Sequence, residues 1–227
     1  MKSVNQLPQV YDKRYKCPIC SNITVSKKVF TDRVKIKNYD EDMKPNYEGV
    51  NPLLYSVVVC SRCFYAALEQ DFEHQVSPIY MDEVRKVQNE IKIPEGISFS
   101  QERDHKTAIF AYALAILFYN AKKQPCRVAE MYLRMAWLYR EISDKDNELK
   151  ALARALVYFE ECYTKTNLDT EKEPMVLFYL GEISYKLGKI EDATKWFSTL
   201  VTNYRNVNSF YVKAGRDRWQ SIRGEIK

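Results

Sequence analysis

The chain has 227 residues, 46% of them hydrophobic, and a formal net charge of +5. That is enough for one large or two small domains with a sizeable core. The apolar stretch 108–121 is too short and too often interrupted by polar side chains to span a bilayer, and residues 1–16 lack the basic-then-apolar pattern of a secretory signal. The expected compartment is therefore the reducing cytoplasm, with no membrane association. The charge is uneven: residues 1–40 hold nine basic and three acidic side chains, residues 205–227 six and two, and the middle is mildly acidic.

Taken in order, residues 1–16 read as a polar lead-in. Two C-x-x-C pairs follow, Cys17-Pro18-Ile19-Cys20 and Cys60-Ser61-Arg62-Cys63. Two residues between thiolates let one tight turn present both sulfurs to one ion while its backbone N–H groups point at them. Two such turns complete an all-cysteine tetrahedral set. The expected cofactor is one structural Zn²⁺ held by Cys17, Cys20, Cys60 and Cys63, with no position open to water. A dithiol–disulfide redox motif would want Cys17 at a helix N-terminus after a buried strand. Here a basic stretch precedes it and an alternating stretch follows.

The long spacer must return the chain to the ion. Ile23, Val25 and Val29 alternate with polar residues as in a strand. Val34 and Ile36 do the same between Arg33, Lys35 and Lys37, and residues 53–60 read as a central strand, apolar on nearly both faces. Residues 38–52 are rich in turn formers. The sum is an expanded zinc ribbon over residues 1–76. Residues 77–103 read as a short helix around 80–91 and a linker.

Residues 104–227 read as helical throughout. Asp104 is a candidate N-cap, Pro125 and Pro174 open helices, and Gly188 closes one. Segments 104–123, 125–142, 145–164, 174–187, 190–204 and 209–226 make six helices with short connections, which favours antiparallel neighbours. The fold class is α+β. Leu177, Leu180, Gly181, Gly188, Ala193 and Phe197 fall at tetratricopeptide spacing. Gly181 and Ala193 are small where two helices would cross, and Phe197 fills the gap. In that register Leu133, Trp137, Arg140, Phe178, Glu182 and Tyr185 would face a partner groove, or Trp137 and Phe178 would be core. Cys126 and Cys162 read as buried small apolar residues.

The paired C-x-x-C knuckles, with Tyr47-Glu48-Gly49-Val50-Asn51-Pro52 before the second and Phe64-Tyr65-Ala66-Ala67 after it, resemble a bacterial family known only as a domain of unknown function. The resemblance covers nearly the whole chain. It implies a zinc ribbon joined to a helical-repeat body in a cytoplasmic bacterial protein, and it implies no activity.

No phosphate-cradling glycine loop, zinc-protease helix or nucleophile elbow occurs. His74 reads as a surface residue, and Glu160, Glu161, Glu171 and Glu173 as solvated charges, so an enzyme is the least favoured class. Two readings remain. One is a non-catalytic adaptor binding a protein or peptide in the helical groove. The other is a nucleic-acid-binding protein using Arg33, Lys35 and Lys37 on one strand face, with Tyr39 and Tyr47 nearby for stacking.

Overall fold

The computed structural model describes residues 8–225. The chain divides into two compact units between Lys123 and Gln124. Each unit is described here by itself.

Among its described residues the first unit carries three two-stranded antiparallel sheets. β1 (Val10–Lys16) pairs with β2 (Ile23–Val29), β3 (Lys35–Tyr39) with β4 (Pro45–Glu48), and β5 (Val57–Val59) with β6 (Ala66–Leu68). Of the stretch read as a polar lead-in, residues 10–16 are a strand, and residues 1–7 lie outside the described residues. The strand is highly charged, but Tyr15 is buried and Lys13 lies over its ring at 4.9 Å, so polar residues cover rather than interrupt it. The turn-rich insert carries β4, and the expected central strand begins as a 3-10 turn, Pro52–Tyr55, whose first turn is capped by Asn51. A β-strand thus forms only at Val57–Val59, because Pro52 and the Asn51 cap favour a turn before it.

Two short helices follow, α1 (Glu69–Phe72) and α2 (Met81–Glu90), and then α3 (His105–Ala121). Asp104 caps α3, accepting from the Thr107 N–H at 2.8 Å. The sequence places α3 with the helical domain. It packs instead in the first unit, against α2, β5 and β6. Its phenols explain why. Tyr112 Oη donates to the Leu53 carbonyl at 2.9 Å, Tyr119 Oη donates to Asp71 at 2.7 Å and accepts from the Leu68 N–H at 2.9 Å, and Phe118 meets Tyr65 edge-on at 5.1 Å.

The supposed linker ends in a buried cation. Arg103 is 4% exposed and donates to the carbonyls of Val57 at 2.7 Å and Phe99 at 2.8 Å and to Ser26 Oγ at 3.1 Å. Burial draws its pKa down to about 10, which still leaves it charged at neutral pH.

The second unit holds α4 (Pro125–Glu141), α5 (Lys145–Lys165), α6 (Glu173–Lys186), α7 (Ile190–Asn203) and α8 (Phe210–Glu225). α4 and α5 run antiparallel, tied by the Arg140–Glu148 ion pair at 2.7 Å, the stacked rings of Tyr132 and Tyr158, and a disulfide between Cys126 and Cys162. The disulfide corrects the reading of those cysteines as separate apolar residues. Antiparallel packing brings the start of α4 beside the end of α5, with Cα atoms 4.8 Å apart.

α6 and α7 cross where glycine permits it. A Cβ at Gly181 would lie 2.8 Å from the Phe197 ring, and one at Gly215 of α8 would lie 2.4 Å from Leu200. Gly188 closes α6 at φ +76°, and Ser143 makes the equivalent turn after α4 at φ +60°. Gly181→Ala is expected to cost about 1–3 kcal/mol by overpacking, read from urea unfolding. Gly224→Ala, with nothing within 4 Å of its Cβ, should be neutral or slightly stabilising because alanine favours the helix.

Candidate metal centre

The turns of the β1/β2 and β5/β6 hairpins share one construction. In the first, the Cys17 N–H donates to the Asn22 carbonyl at 2.9 Å and the Ser21 N–H to the Cys17 carbonyl at 3.0 Å. In the second, the Cys60 N–H donates to the Tyr65 carbonyl at 2.8 Å and the Phe64 N–H to the Cys60 carbonyl at 3.1 Å. The residue after each second cysteine, Ser21 or Phe64, takes φ +58°. That left-handed step is unusual for a residue with a Cβ, and here it folds each C-x-x-C back on itself. Backbone N–H groups inside each turn point at the first sulfur, those of Ile19 and Cys20 at Cys17 and those of Arg62 and Cys63 at Cys60.

The two turns meet. The sulfurs of Cys17 and Cys63 are 3.6 Å apart, as are those of Cys20 and Cys60, and all four lie within 4.8 Å of one another. A tetrahedron with metal–sulfur bonds of about 2.3 Å has edges of about 3.8 Å, so the set fits one tetrahedral ion. The four cysteines could hold one metal ion. Among the described residues they are the one group of His, Cys, Asp or Glu side chains so placed. His74 is exposed and lies outside it.

Crowding sets the protonation. Cys60 accepts hydrogen bonds from Cys17 and Cys63 and is held far below the ordinary thiol range. Cys17 is pushed up to about 12, first by its hydrogen bond to Cys60, and Cys63 is pushed up further by its bonds to Cys17 and Cys60. The Cys60 thiolate forms readily, and Cys17 and Cys63 keep their protons until a cation offsets the charge.

Carboxylates stitch the two hairpins together away from the sulfurs. Glu69, just after β6, accepts on one oxygen from Lys13 at 2.9 Å, Tyr15 at 2.9 Å and Lys28 at 2.7 Å. Burial pushes its carboxyl up, but these hydrogen bonds outweigh it and hold the group below the usual range. Glu73 accepts from the Lys16 N–H at 2.8 Å. On the other side Lys122 is buried, donates to Tyr65 Oη at 2.9 Å and lies 4.5 Å from the Tyr119 ring centre. Tyr65 follows Cys63 by two residues. Its phenol is pushed up, first by burial and then by the nearby Asp71 carboxylate. Sequence reading missed Glu69, Tyr65 and Lys122. Only the apolar start of the segment after Cys63 hinted that it packs back on the ribbon.

The other candidate residues do not form the surfaces expected of them. Arg33 sits in a 3-10 turn (Thr31–Arg33) before β3, over the Phe30 ring at 4.1 Å and donating to the Pro8 carbonyl. It is not in line with Lys35 and Lys37, which lie on the fully exposed β3. In the helical unit Leu133, Trp137, Phe178 and Glu182 are buried. Phe178 packs on Phe197 and Tyr211, Trp137 lies 6.5 Å from Tyr179, and Glu182, 0% exposed, pairs with Arg218 of α8 at 2.8 Å. Arg140 and Tyr185 are half-buried, Arg140 bound to Glu148 and Tyr185 beneath the Arg218 guanidinium at 4.9 Å. Helical spacing marks an apolar face but does not tell an open groove from one filled by a later helix, here α8.

A family model described as an uncharacterized protein conserved in bacteria (DUF2225) matches residues 10–222. The chain belongs to that family. A relative from Borreliella burgdorferi, itself described only as an uncharacterized protein, is 26% identical over 153 residues, covering 59% of this chain and 54% of the relative. The match thus spans about half of that relative's length. No solved structure matches. Among the described residues no helix is long and apolar enough to cross a membrane.

Loading the metal-free protein with an ion should release at least two protons, because Cys17 and Cys63 hold theirs above neutral pH in its absence. Apparent affinity should therefore fall steeply as pH drops. Calorimetry in two buffers of different ionisation enthalpy reads the proton count directly.

Proposed function

We propose that the protein is a non-catalytic adaptor, with a β head closed by one structural Zn²⁺ and a helical body that binds a protein or peptide. The observation that carries the structural role is the four-sulfur set, whose spacing accounts for every position of a tetrahedral ion. Zinc suits four thiolates and that geometry. When bound it supplies charge and cross-linking, while Cys17, Cys20, Cys60 and Cys63 orient it and leave no ligand place for an activated water.

The helical body is read as tetratricopeptide-like. The Gly181–Phe197 crossing and the matching turns at Ser143 and Gly188 support that reading. Such hairpins present stacked helices to extended peptides. Cytoplasmic residence is part of the same proposal, since reduced thiols are what the metal needs.

A nucleic-acid reading retains one favourable observation, the exposed β3, which displays Lys35 and Lys37 with Tyr39 51% exposed at its end. The two readings separate by salt. Oligonucleotide affinity gained through phosphate contacts falls steeply between about 50 and 200 mM salt. The adaptor reading expects binding of labelled DNA and RNA no tighter than about 1–100 μM, as for non-specific contacts. Sub-micromolar binding abolished by a Lys35→Glu/Lys37→Glu variant would replace it.

Metal content is the first check. Protein purified without a metal-binding tag should carry one zinc per chain, and Cys60→Ser should lose it. Chelation should unfold the β head while the helical circular dichroism persists. An iron or copper content in place of zinc, or turnover of any substrate dependent on the ion, would sink the structural assignment.

A further inference from the structure

The two cysteines outside the metal cluster are bonded to each other, and their surroundings are unequal. Cys126 stands in the first turn of α4, directly after Pro125, and is half-buried. Cys162 stands in the last turns of α5 and is fully buried. A thiolate in a helix's first turn is favoured by the unpaired N–H groups and the positive end of the helix dipole. A buried thiol resists ionisation. One sulfur is therefore set up as an accessible nucleophile and the other as a sheltered partner.

Their place in the hairpin is the second observation. The α4/α5 pair is closed at one end by the turn at Ser143 and at the other by this disulfide. Inward of the bond, the Tyr132–Tyr158 stack also ties the two helices. The bond also adjoins residues 166–172, which lead from α5 to α6.

The third observation is the company it keeps. Four other sulfurs of this chain fit a metal, and they do so only as thiolates. Surroundings that keep those four reduced are the ones in which a disulfide is transient and regulatory rather than permanent.

We propose that Cys126–Cys162 is a reversible redox bond that locks and unlocks the open end of the α4/α5 hairpin, with Cys126 as the entry thiol. Its oxidant is a low-molecular-weight disulfide and its reductant the corresponding thiol. In closure, the Cys126 thiolate attacks one sulfur of the small disulfide. That S–S bond breaks, a mixed disulfide forms on Cys126, and one small thiolate leaves and takes up a proton. Cys162, giving up its own proton, then attacks the Cys126 sulfur and expels the second small thiolate. Two protein thiols are oxidised and one small disulfide is reduced to two thiols. Opening runs the same steps backwards, starting with attack on the accessible Cys126 sulfur.

The test uses the full chain equilibrated across ratios of oxidised to reduced glutathione, quenched in acid and alkylated after denaturation, with peptides read by mass spectrometry. Cys126 and Cys162 should pass together from alkylated to mutually linked in one two-electron step. The oxidised form should melt roughly 5 °C or more above the reduced form. The Cys126→Ser/Cys162→Ser variant should match the reduced form in both buffers. Thiols that stay free at every ratio, a bond that survives a large excess of thiol, or cross-links to Cys17, Cys20, Cys60 or Cys63 would each overturn the proposal. For the order of attack, Cys162→Ala should take up glutathione at Cys126 at least tenfold faster than Cys126→Ala does at Cys162, and equal rates would overturn that assignment. If circular dichroism shows either variant unfolded, the mixed disulfide caught by rapid acid quench of the wild-type protein reports the same order.

Discussion

The first unit depends on two hairpin tips being brought to one point. Two-stranded ribbons are marginal in water by themselves, and β5 and β6 have only three residues each. What makes them persist is cross-linking at both ends. At the tips four sulfurs gather at the spacing of one ion. At the base Glu69 ties Lys13, Tyr15 and Lys28 to the second hairpin, and α3 roofs the second hairpin with Tyr112, Phe118 and Tyr119. The left-handed steps at Ser21 and Phe64 give both turns the same shape, the one that brings their sulfurs together. Strain of order 1–3 kcal/mol per residue is small beside the roughly 10–16 kcal/mol by which structural zinc stabilises comparable peptides.

The helical unit rests on close approach instead. Gly181 and Gly215 let α6, α7 and α8 draw together until Phe197 and Leu200 fill the crossings. That closeness leaves Glu182 without access to water, and Arg218 meets it with two hydrogen bonds, at 2.8 and 3.3 Å. A buried pair of this kind adds little net stability, yet removing either member alone is costly. It therefore acts as a register mark, fixing which turn of α8 lies against which turn of α6.

Helices were the legible part of this sequence. Asp104, Pro125, Pro174 and Gly188 mark ends that chain-local chemistry decides, and the observed helices begin and stop within a residue or two of them. The cysteine cluster was legible for the same reason, since C-x-x-C is a turn written in adjacent residues. The strands were legible only in part, since the alternation of Ile23, Val25 and Val29 marks β2 but little else of the sheets shows. Val10–Lys16 hides behind its charges, and the run from Leu53 is apolar without being extended. Arg33 looked like a strand neighbour of Lys35 but is turned away by the 3-10 turn it closes. The groove failed for a different reason: the cover over Phe178 and Glu182 comes from Tyr211 and Arg218, more than thirty residues later. The disulfide left one readable trace, in that Cys126 and Cys162 stand at nearly equal distances on either side of the turn at Ser143.

Arg103 has a consequence for how the molecule can be dissected. It donates hydrogen bonds to the carbonyls of residues 54, 57 and 99 inside the first unit, although it is separated from Cys63 by forty residues of chain. The unit that supports the cysteine cluster is therefore larger than the segment that holds the cysteines. A fragment ending near residue 76 would expose the Val57 carbonyl and the face of β6 that α3 covers, and affinities measured on it would describe a loose peptide chelator. The smallest piece that keeps the native site extends through Lys122, so the natural cut for excising it lies after α3 rather than at the proline- and glycine-containing stretch that resembles a boundary.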